Sequence, residues 1–407
     1  MPHLLIIGSV WPEPRSSAAG VNMMTLIELF AEQPWTITFA SAANPTEHRA
    51  DIEALGVTAA AIKLNSDCFD SFIAQLKPDV VLFDRFMTEE QYGWRVAEQA
   101  PEALRILDME DLHALRLARQ QAFKQQRPFV LDDLLSEVAC REVAAIYRCD
   151  LSLVVSDYEI EILTKQLGVP ATLLHHQPFM LDAPIAAEAL PSFEQRQHFL
   201  AIGNFRHPPN WDSVLWLKQT LWPAIRCALP KAELHIYGAY PPPKATQLHN
   251  PKQGFYVDGW VDDARQVMSE ARVCLSPLRF GAGIKGKLAD AMRCGTPNVT
   301  TTIGAEAMHG ELPWSGLVAD EVSHFVEAAV ALYSDPVLWQ QKQRAGFTIV
   351  EQFFNKKNRA DALLEKVSHC LAQREQRRRN NFTGQMLQHH QYKSTRYMSL
   401  WIAEKQR

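Results

Sequence analysis

Residues 277–297 read PLRFGAGIKGKLADAMRCGTP. The apolar run VCLSPL (273–278) delivers the chain to Arg279, glycines follow at 281 and 283, and a helical pattern then starts that carries Lys285, Lys287 and Asp290. Within it Ile284, Leu288, Ala291 and Met292 share one side at i, i+4, i+7, i+8 spacing. Gly295 suits the helix stop, and Pro297 lies just beyond. Packing alone rarely needs two glycines and three charges at one strand-to-helix turn. Glycine permits close backbone approach, and a helix N-terminus offers unpaired N–H groups at the positive end of its dipole. The turn therefore reads as an anion site. At about 100° per residue, Lys287 and Asp290 sit about 60° apart on one flank. An ordinary surface Lys–Asp pair at that spacing is worth only ~0.2–0.5 kcal/mol and leaves the glycines unexplained. The stretch is neither a Walker loop nor a dinucleotide fingerprint, since GxxxxGK[ST] and the acidic follow-up of GxGxxG are both missing.

Working outward, short β-rich apolar runs alternate with helical patterns. The first half has LLIIGS (4–9), TITFAS (36–41), AAIKL (60–64), VVLFD (80–84), RILDM (105–109), LSLVVS (151–156) and ATLLHH (171–176). The second has HFLAIG (198–203), ELHIYG (233–238), FYVDGW (255–260), VCLSPL, NVTTT (298–302) and GLVAD (316–320). Continuous apolar strands separated by helices imply parallel sheets covered on both faces. PIAAEALPSFEQRQ (184–197) breaks the rhythm and reads as a domain boundary. The expected fold is α/β: two doubly wound Rossmann-like domains, residues 1–185 and 195–370, facing a central cleft, with a basic and helical C-terminal tail over 371–407. Ser156 and Glu159 read as a capping box, with Glu159 reaching back to the cap.

At 407 residues two domains are the natural division. No apolar run is long enough to span a bilayer, and MPHLLIIGSVWPEP reads as a first buried strand rather than a signal peptide. Seven scattered cysteines without a CxxC pair suggest reduced thiols and a cytoplasmic protein, without zinc or a disulfide frame. The tail from Leu371 carries eight Lys/Arg against two Asp/Glu, a net of +6, so the other 370 residues hold −11 of the total −5. Such a tail suits a solvated helix, a nucleic acid or the inner membrane face. Trp401, Tyr392 and Tyr397 would alternatively pack it back on the first domain. The pairs His175–His176, Asp132–Asp133 and Asp262–Asp263 are read as structural, with no metal site.

FGAGIKGKLADAMRCGTPNVTTTIGAEAM, with FLAIGNFRHPPNWDSVLWLKQTLWPAIRCALPKAELHIYGAYPP (199–242) and YVDGWVDDARQVMSEARVCLSPLRFGAGIKGK (256–287) before it, resembles the donor domain of group 1, family-four-like glycosyltransferases of the GT-B fold. The resemblance covers residues 199–350 and extends to the first half only by layout. It implies a nucleotide-diphosphate sugar as donor, an unknown hydroxyl acceptor (glycan, lipid-linked or other), no cofactor, no metal requirement and retention of anomeric configuration. By the same resemblance Gly203 lies near the diphosphate, Gly238 near the nucleoside, and Trp260 offers backbone to the base. Arg279, Lys285 and Lys287 would face the diphosphate across Gly281 and Gly283. Asp290 takes the place of the second Glu of a Glu-x7-Glu motif, whose first Glu falls on Ala282. The Arg and Lys that many relatives place after the first donor strand fall on Asn204 and Pro209, with Arg206 and His207 as substitutes.

Across the cleft, Ser16, Ser17 and Gly20 lie where relatives have a Gly-rich acceptor loop. Relatives often have a His after the strand ending near 109; here Glu110, Asp111 and His113 are the catalytic candidates, and His113 has the pKa of a proton shuttle. Two other readings compete. One is a non-catalytic nucleotide- or glycan-binding relative, in line with the losses at 204, 209 and 282. The other is an RNA- or membrane-surface protein acting through the basic tail.

Overall fold

The structure, a computed structural model, describes residues 1–406, the side chains of residues 390–393 excepted. Each stretch read as a strand overlaps one. The first sheet holds β1 (His3–Gly8), β2 (Thr36–Ser41), β3 (Thr58–Ala61), β4 (Val80–Asp84), β5 (Leu104–Asp108), β6 (Leu151–Val154) and β7 (Leu174–His176). The second holds β8 (Phe199–Ile202), β9 (Leu234–Tyr237), β10 (Phe255–Gly259), β11 (Val273–Ser276), β12 (Asn298–Thr300) and β13 (Gly316–Val318). Two assignments shift. β3 starts two residues earlier than AAIKL, and a 3-10 turn over Ala171–Leu173 replaces the start of β7.

Both sheets are parallel, in the orders β3-β2-β1-β4-β5-β6-β7 and β10-β9-β8-β11-β12-β13. The winding reverses between β1 and β4, and again between β8 and β11. Loops leaving the carboxyl ends of strands flanking such a reversal open a crevice. The two crevices face each other, which puts the loops after β1, β4, β5, β8, β9, β10 and β11 around one cavity. The expected two-domain α/β architecture is thus present.

The domain boundaries depart from the expectation. The second domain does not run to 370. The chain crosses back near Phe354, whose carbonyl accepts from Leu181 N at 2.8 Å, and Lys356 N donates to Leu181 O at 3.0 Å. The helix Lys356–Ala372 then packs on the first sheet. Its stripe Ala360, Leu363, Val367 and Cys370 joins a core with Leu4, Ile6, Val80 and Leu82. Full burial of Leu363 and Val367 contributes on the order of 3–6 kcal/mol, enough to fix the crossing.

The tail is helical, over Arg374–Asn380 and Phe382–Lys405. Its aromatic residues do not pack back: Tyr397 and Trp401 are 67% and 58% exposed, and the Tyr392 side chain lies outside the described residues. Arginines make the attachment instead. Arg378 Nε and Nη2 reach Asp150 at 2.7 and 2.8 Å, Arg377 donates to the Asp150 and Thr172 carbonyls, Arg374 pairs with Glu102, and Arg396 pairs with Glu98. Three of the tail's arginines, Arg374, Arg378 and Arg396, are therefore paired with carboxylates of the acidic body.

Asp150 is the anchor. It is buried, also accepts from Arg105 N at 2.9 Å, and lies 3.9 Å from the Arg105 guanidinium. Burial opposes its charge, but Arg378 and Arg105 hold its carboxyl below the usual range. Asp150→Ala is expected to cost about 3–5 kcal/mol, because Arg105 is left buried without its partner. A lowered Tm and faster proteolysis within 374–406 would register this. The carboxylate contributes stability above the unfolded-state pKa, near ~3.9, and loses it as pH falls through the lower folded value.

Candidate functional site

The cleft is a cavity of about 580 Å³, within the range of roughly 300–1,000 Å³ usual for small-molecule sites. The second domain supplies one wall. Gly203 directly follows strand β8, and a Cβ there would come within 2.6 Å of the Asn210 side chain and 2.9 Å of Lys287 Nζ. At Gly238 a Cβ would lie 2.1 Å from Gly203 O. The backbone clash at Gly238 leaves room for glycine alone, whereas a side chain at Gly203 would push aside Asn210 and Lys287, the latter on the helix Gly286–Arg293.

Lys287 Nζ donates to Asn210 Oδ1 at 2.7 Å, and Lys285 Nζ, almost fully buried, donates to Gly283 O at 2.7 Å. Burial pushes both ammonium groups down to about 8. Cations perturbed in this way at the wall of a cleft cluster at functional sites. Asp290, one turn along, lines the same cavity and a smaller adjoining pocket with Asn22 and Thr25. Burial raises its carboxyl above the usual range, with Arg265 and Arg293 pulling it back.

At the far end Trp260 stacks on His48, centroids 5.1 Å apart, and its Nε1 donates to Arg15 O at 3.3 Å. The Arg206 guanidinium lies 3.6 Å from the Tyr240 ring centroid, and the Tyr240 hydroxyl donates to Glu13 Oε2 at 3.0 Å.

Arg279 does not face the cavity. It forms a bidentate pair with Asp212 at 2.7 and 2.9 Å and lies against the Phe123 and Trp216 rings. It points away from the cleft that its neighbours Leu278 and Phe280 line. His207 lines the cleft, but burial pushes it down to about 4, so it is neutral near pH 7 and does not replace a lost cation. Ala282 packs against the apolar core of the first domain.

The first domain supplies the opposite wall. Ser16 Oγ donates to Glu13 Oε2 at 2.6 Å, and Ser17 Oγ accepts from Gly20 N at 3.0 Å, capping the helix Ala18–Ala31. Both serines line the cavity; Gly20 stands behind them, where a Cβ would meet the Glu13 backbone at 2.4 Å. Its role is to seat the loop, not to form the wall.

Glu110, Asp111 and His113 all line the cavity, as do Arg85 and Arg116. Glu110 is buried in the left-handed region at φ 59° and accepts from Asn22 Nδ2 at 3.4 Å. Arg85, at φ 70°, leaves the adjacent strand. Non-glycine residues in such conformations mark functional loops more often than packing ones. Burial pushes Glu110 up to about 7, with Arg85 pulling down and Asp84 pushing up. Asp111 stays ionised, since Arg116 Nε reaches it at 2.5 Å and outweighs burial. His113 Nδ1 lies 3.4 Å from Asp111 Oδ1 and 3.5 Å from Glu142 Oε1. Burial opposes its charge, but these carboxylates raise its pKa.

Arg85, Arg116, Asn22 and Asn210 were not among the sequence-based candidates. Arg85 had a signal: it follows VVLFD, and a charge just past a buried parallel strand sits at the crevice.

The expected capping box is half present. Ser156 Oγ accepts from Glu159 N at 3.2 Å. The Glu159 carboxylate turns away from the cap and accepts from Leu112 N and, across the domain boundary, Gly283 N.

Comparison with known proteins gives a consistent answer. Residues 196–335 match the family model for glycosyl transferases group 1. Comparison with curated proteins returns no match. Among solved structures, the chain is similar to sucrose-phosphate synthase from Thermosynechococcus elongatus, with TM-score 0.68 and 16% identity over 91% of this chain and 100% of that one. A glycosyltransferase from Rickettsia africae gives TM-score 0.66 at 10% identity, covering 89% and 97%. Anabaena HepE in complex with UDP and glucose gives 0.65 at 13% identity, covering 90% and 99%. The resemblance read from the 277–297 turn agrees with this: residues 196–335 match the model for glycosyl transferases group 1, in a chain that shares its two-domain fold with these solved structures.

Proposed function

We propose that the chain moves a glycosyl group from a nucleoside-diphosphate sugar to a hydroxyl acceptor, with retention of configuration and no metal requirement. The observation that carries this reading is the pair of amines, buried Lys285 and half-buried Lys287, at the start of the helix Gly286–Arg293, opposite a carboxylate wall in one cavity. In the transfer, the bond from the anomeric carbon to the β-phosphate oxygen breaks, and the acceptor oxygen bonds to that carbon on the same face. The acceptor proton passes to the leaving phosphate. Charge grows on the diphosphate, where Lys287, Lys285 and the helix N-terminus are already oriented to receive it. Asp290 is placed to accept from sugar or ribose hydroxyls, and Glu110 to accept from the acceptor hydroxyl. Closure of the domains excludes water and holds the reactants together. HepE is similar in fold and was solved with UDP and with UDP-glucose, which favours uridine nucleotides as the first to try.

A panel of nucleoside diphosphates tests the reading. One of them should raise Tm; saturation at about 100 times Kd adds ~2.7 kcal/mol. The matching sugar nucleotide should then be turned over, at a rate unchanged by EDTA, to a product with the donor's anomeric configuration by NMR. If no nucleotide shifts Tm, the reading fails. Tight binding with neither transfer nor hydrolysis would favour a binding-only protein, a reading to which Ala282 lends support.

A further inference from the structure

The Gly281–Gly283 segment belongs to the second domain, yet side chains of the first hold its backbone. Arg119 Nη1 donates to Gly281 O at 3.0 Å, and its two terminal nitrogens grip Glu306 at 2.8 and 2.7 Å. Glu159 Oε1 accepts from Gly283 N at 2.7 Å and from Leu112 N at 3.1 Å. Leu112 ends the loop that carries Glu110 and Asp111. One carboxylate oxygen therefore ties the acid loop of one domain to the phosphate loop of the other.

Stability does not explain this residue. Glu159 is 0% exposed, and its Oε2 has no hydrogen-bond partner among the described residues. A half-satisfied buried carboxyl is unfavourable where an apolar side chain of similar size would pack. The surroundings are fitted to the contact: Gly283 has φ +63°, and a Cβ there would lie 2.9 Å from Asp111 Cβ.

We propose that Glu159, seconded by Arg119, is a positioning residue that shapes the phosphate loop only when the two domains are docked. Donor diphosphate and acid loop are then brought into register in a single step. The inference rests on the transferase reading above. Opening the cleft breaks the bonds at Gly281 and Gly283, and Lys285, whose amine is bonded to Gly283 O, loses its guide with them. Donor still binds the open second domain through Gly203, Lys287 and Asp290. Loss of Glu159 should therefore spare donor affinity and cost turnover.

Glu159→Ala is expected to lower kcat about 100-fold, the scale of a misplaced reacting group, with KM for donor within about threefold of wild type. Hydrogen exchange in the ligand-free full chain should quicken about tenfold at the Gly283 amide. Glu159→Gln keeps an accepting Oε1 and should recover most of the rate, whereas Glu159→Leu, which packs but cannot accept, should not. Arg119→Lys keeps a charge opposite Glu306 without spanning both partners, and should show the same kcat-against-KM split even if the Ala variant folds poorly. Leucine restoring the rate as well as glutamine, or Glu159→Ala staying within threefold of wild-type kcat, would overturn the proposal while leaving the transferase reading intact. If wild type neither binds a nucleoside diphosphate nor transfers sugar, both fall together.

Discussion

Lys287→Met should abolish nucleotide binding and, in the same protein, raise the stability of the ligand-free state. The two effects share one cause. Lys287 is half-buried, bonded to Asn210, and pushed by burial down to about 8. Unfolded, a lysine titrates near ~10.4. Below pH 8 the folded chain must therefore keep an ammonium where it is poorly solvated. The penalty is on the order of 2–3 kcal/mol after a discount for partial exposure. The unfolded state binds more protons between about 8 and 10.4, so this penalty fades as pH rises through that window. Methionine removes it, and Tm at pH 7 should rise. A diphosphate reverses the balance, because the cation then faces the charge it is placed to meet. Its loss should cost about 10²–10³ in kcat/KM for donor, as for other preorganised donors to a developing oxyanion, and should erase the nucleotide-induced rise in Tm. Thermal melts with and without nucleoside diphosphate check both halves. A variant that loses stability and keeps its nucleotide response would remove Lys287 from the site.

The lysine was legible in the sequence because glycine spacing, helix start and charge converge within a single turn. The sheets were legible for a related reason: strands buried on both faces leave continuous apolar runs. What the sequence hid depends on register and on contacts distant along the chain. Arg279 sits near Lys285 in sequence, but the loop after β11 turns it outward to Asp212, 67 residues away. Glu159 fits the local capping pattern, and the structure instead directs its carboxylate to Gly283, 124 residues on. The crossing helix Lys356–Ala372 carries an ordinary apolar stripe. Nothing in such a stripe says which of two sheets it covers.

Glu110→Gln should lower kcat by about 10²–10³ and remove the acid limb of the pH profile. Glu110 lies in a set of buried charges with Asp84, Arg85 and Asp108, and burial pushes it up to about 7. The same burial, with Glu110's charge beside it, holds Asp108 well above the usual range. Adjacent carboxyls of this kind titrate as a pair. Only the ionised form of Glu110 accepts strongly from an acceptor hydroxyl, so wild-type kcat/KM should climb as pH rises to 7. Above about 8, Lys285 and Lys287 lose their protons in the free enzyme, and donor capture should decline. The profile is then a narrow bell between the two. In Glu110→Gln the neutral amide no longer opposes ionisation of Asp108, so any residual acid limb should move to lower pH, with the alkaline limb unmoved. Stability gives an independent reading. A carboxyl whose folded pKa is raised contributes stability below its unfolded value, near ~4.3, and that contribution is lost as pH rises through 7. Glu110→Gln should therefore melt higher than wild type at pH 8 and show little gain at pH 4. An acid limb that stays at 7 in the glutamine variant would transfer the assignment to His113, which lines the same wall and whose pKa its carboxylate neighbours raise.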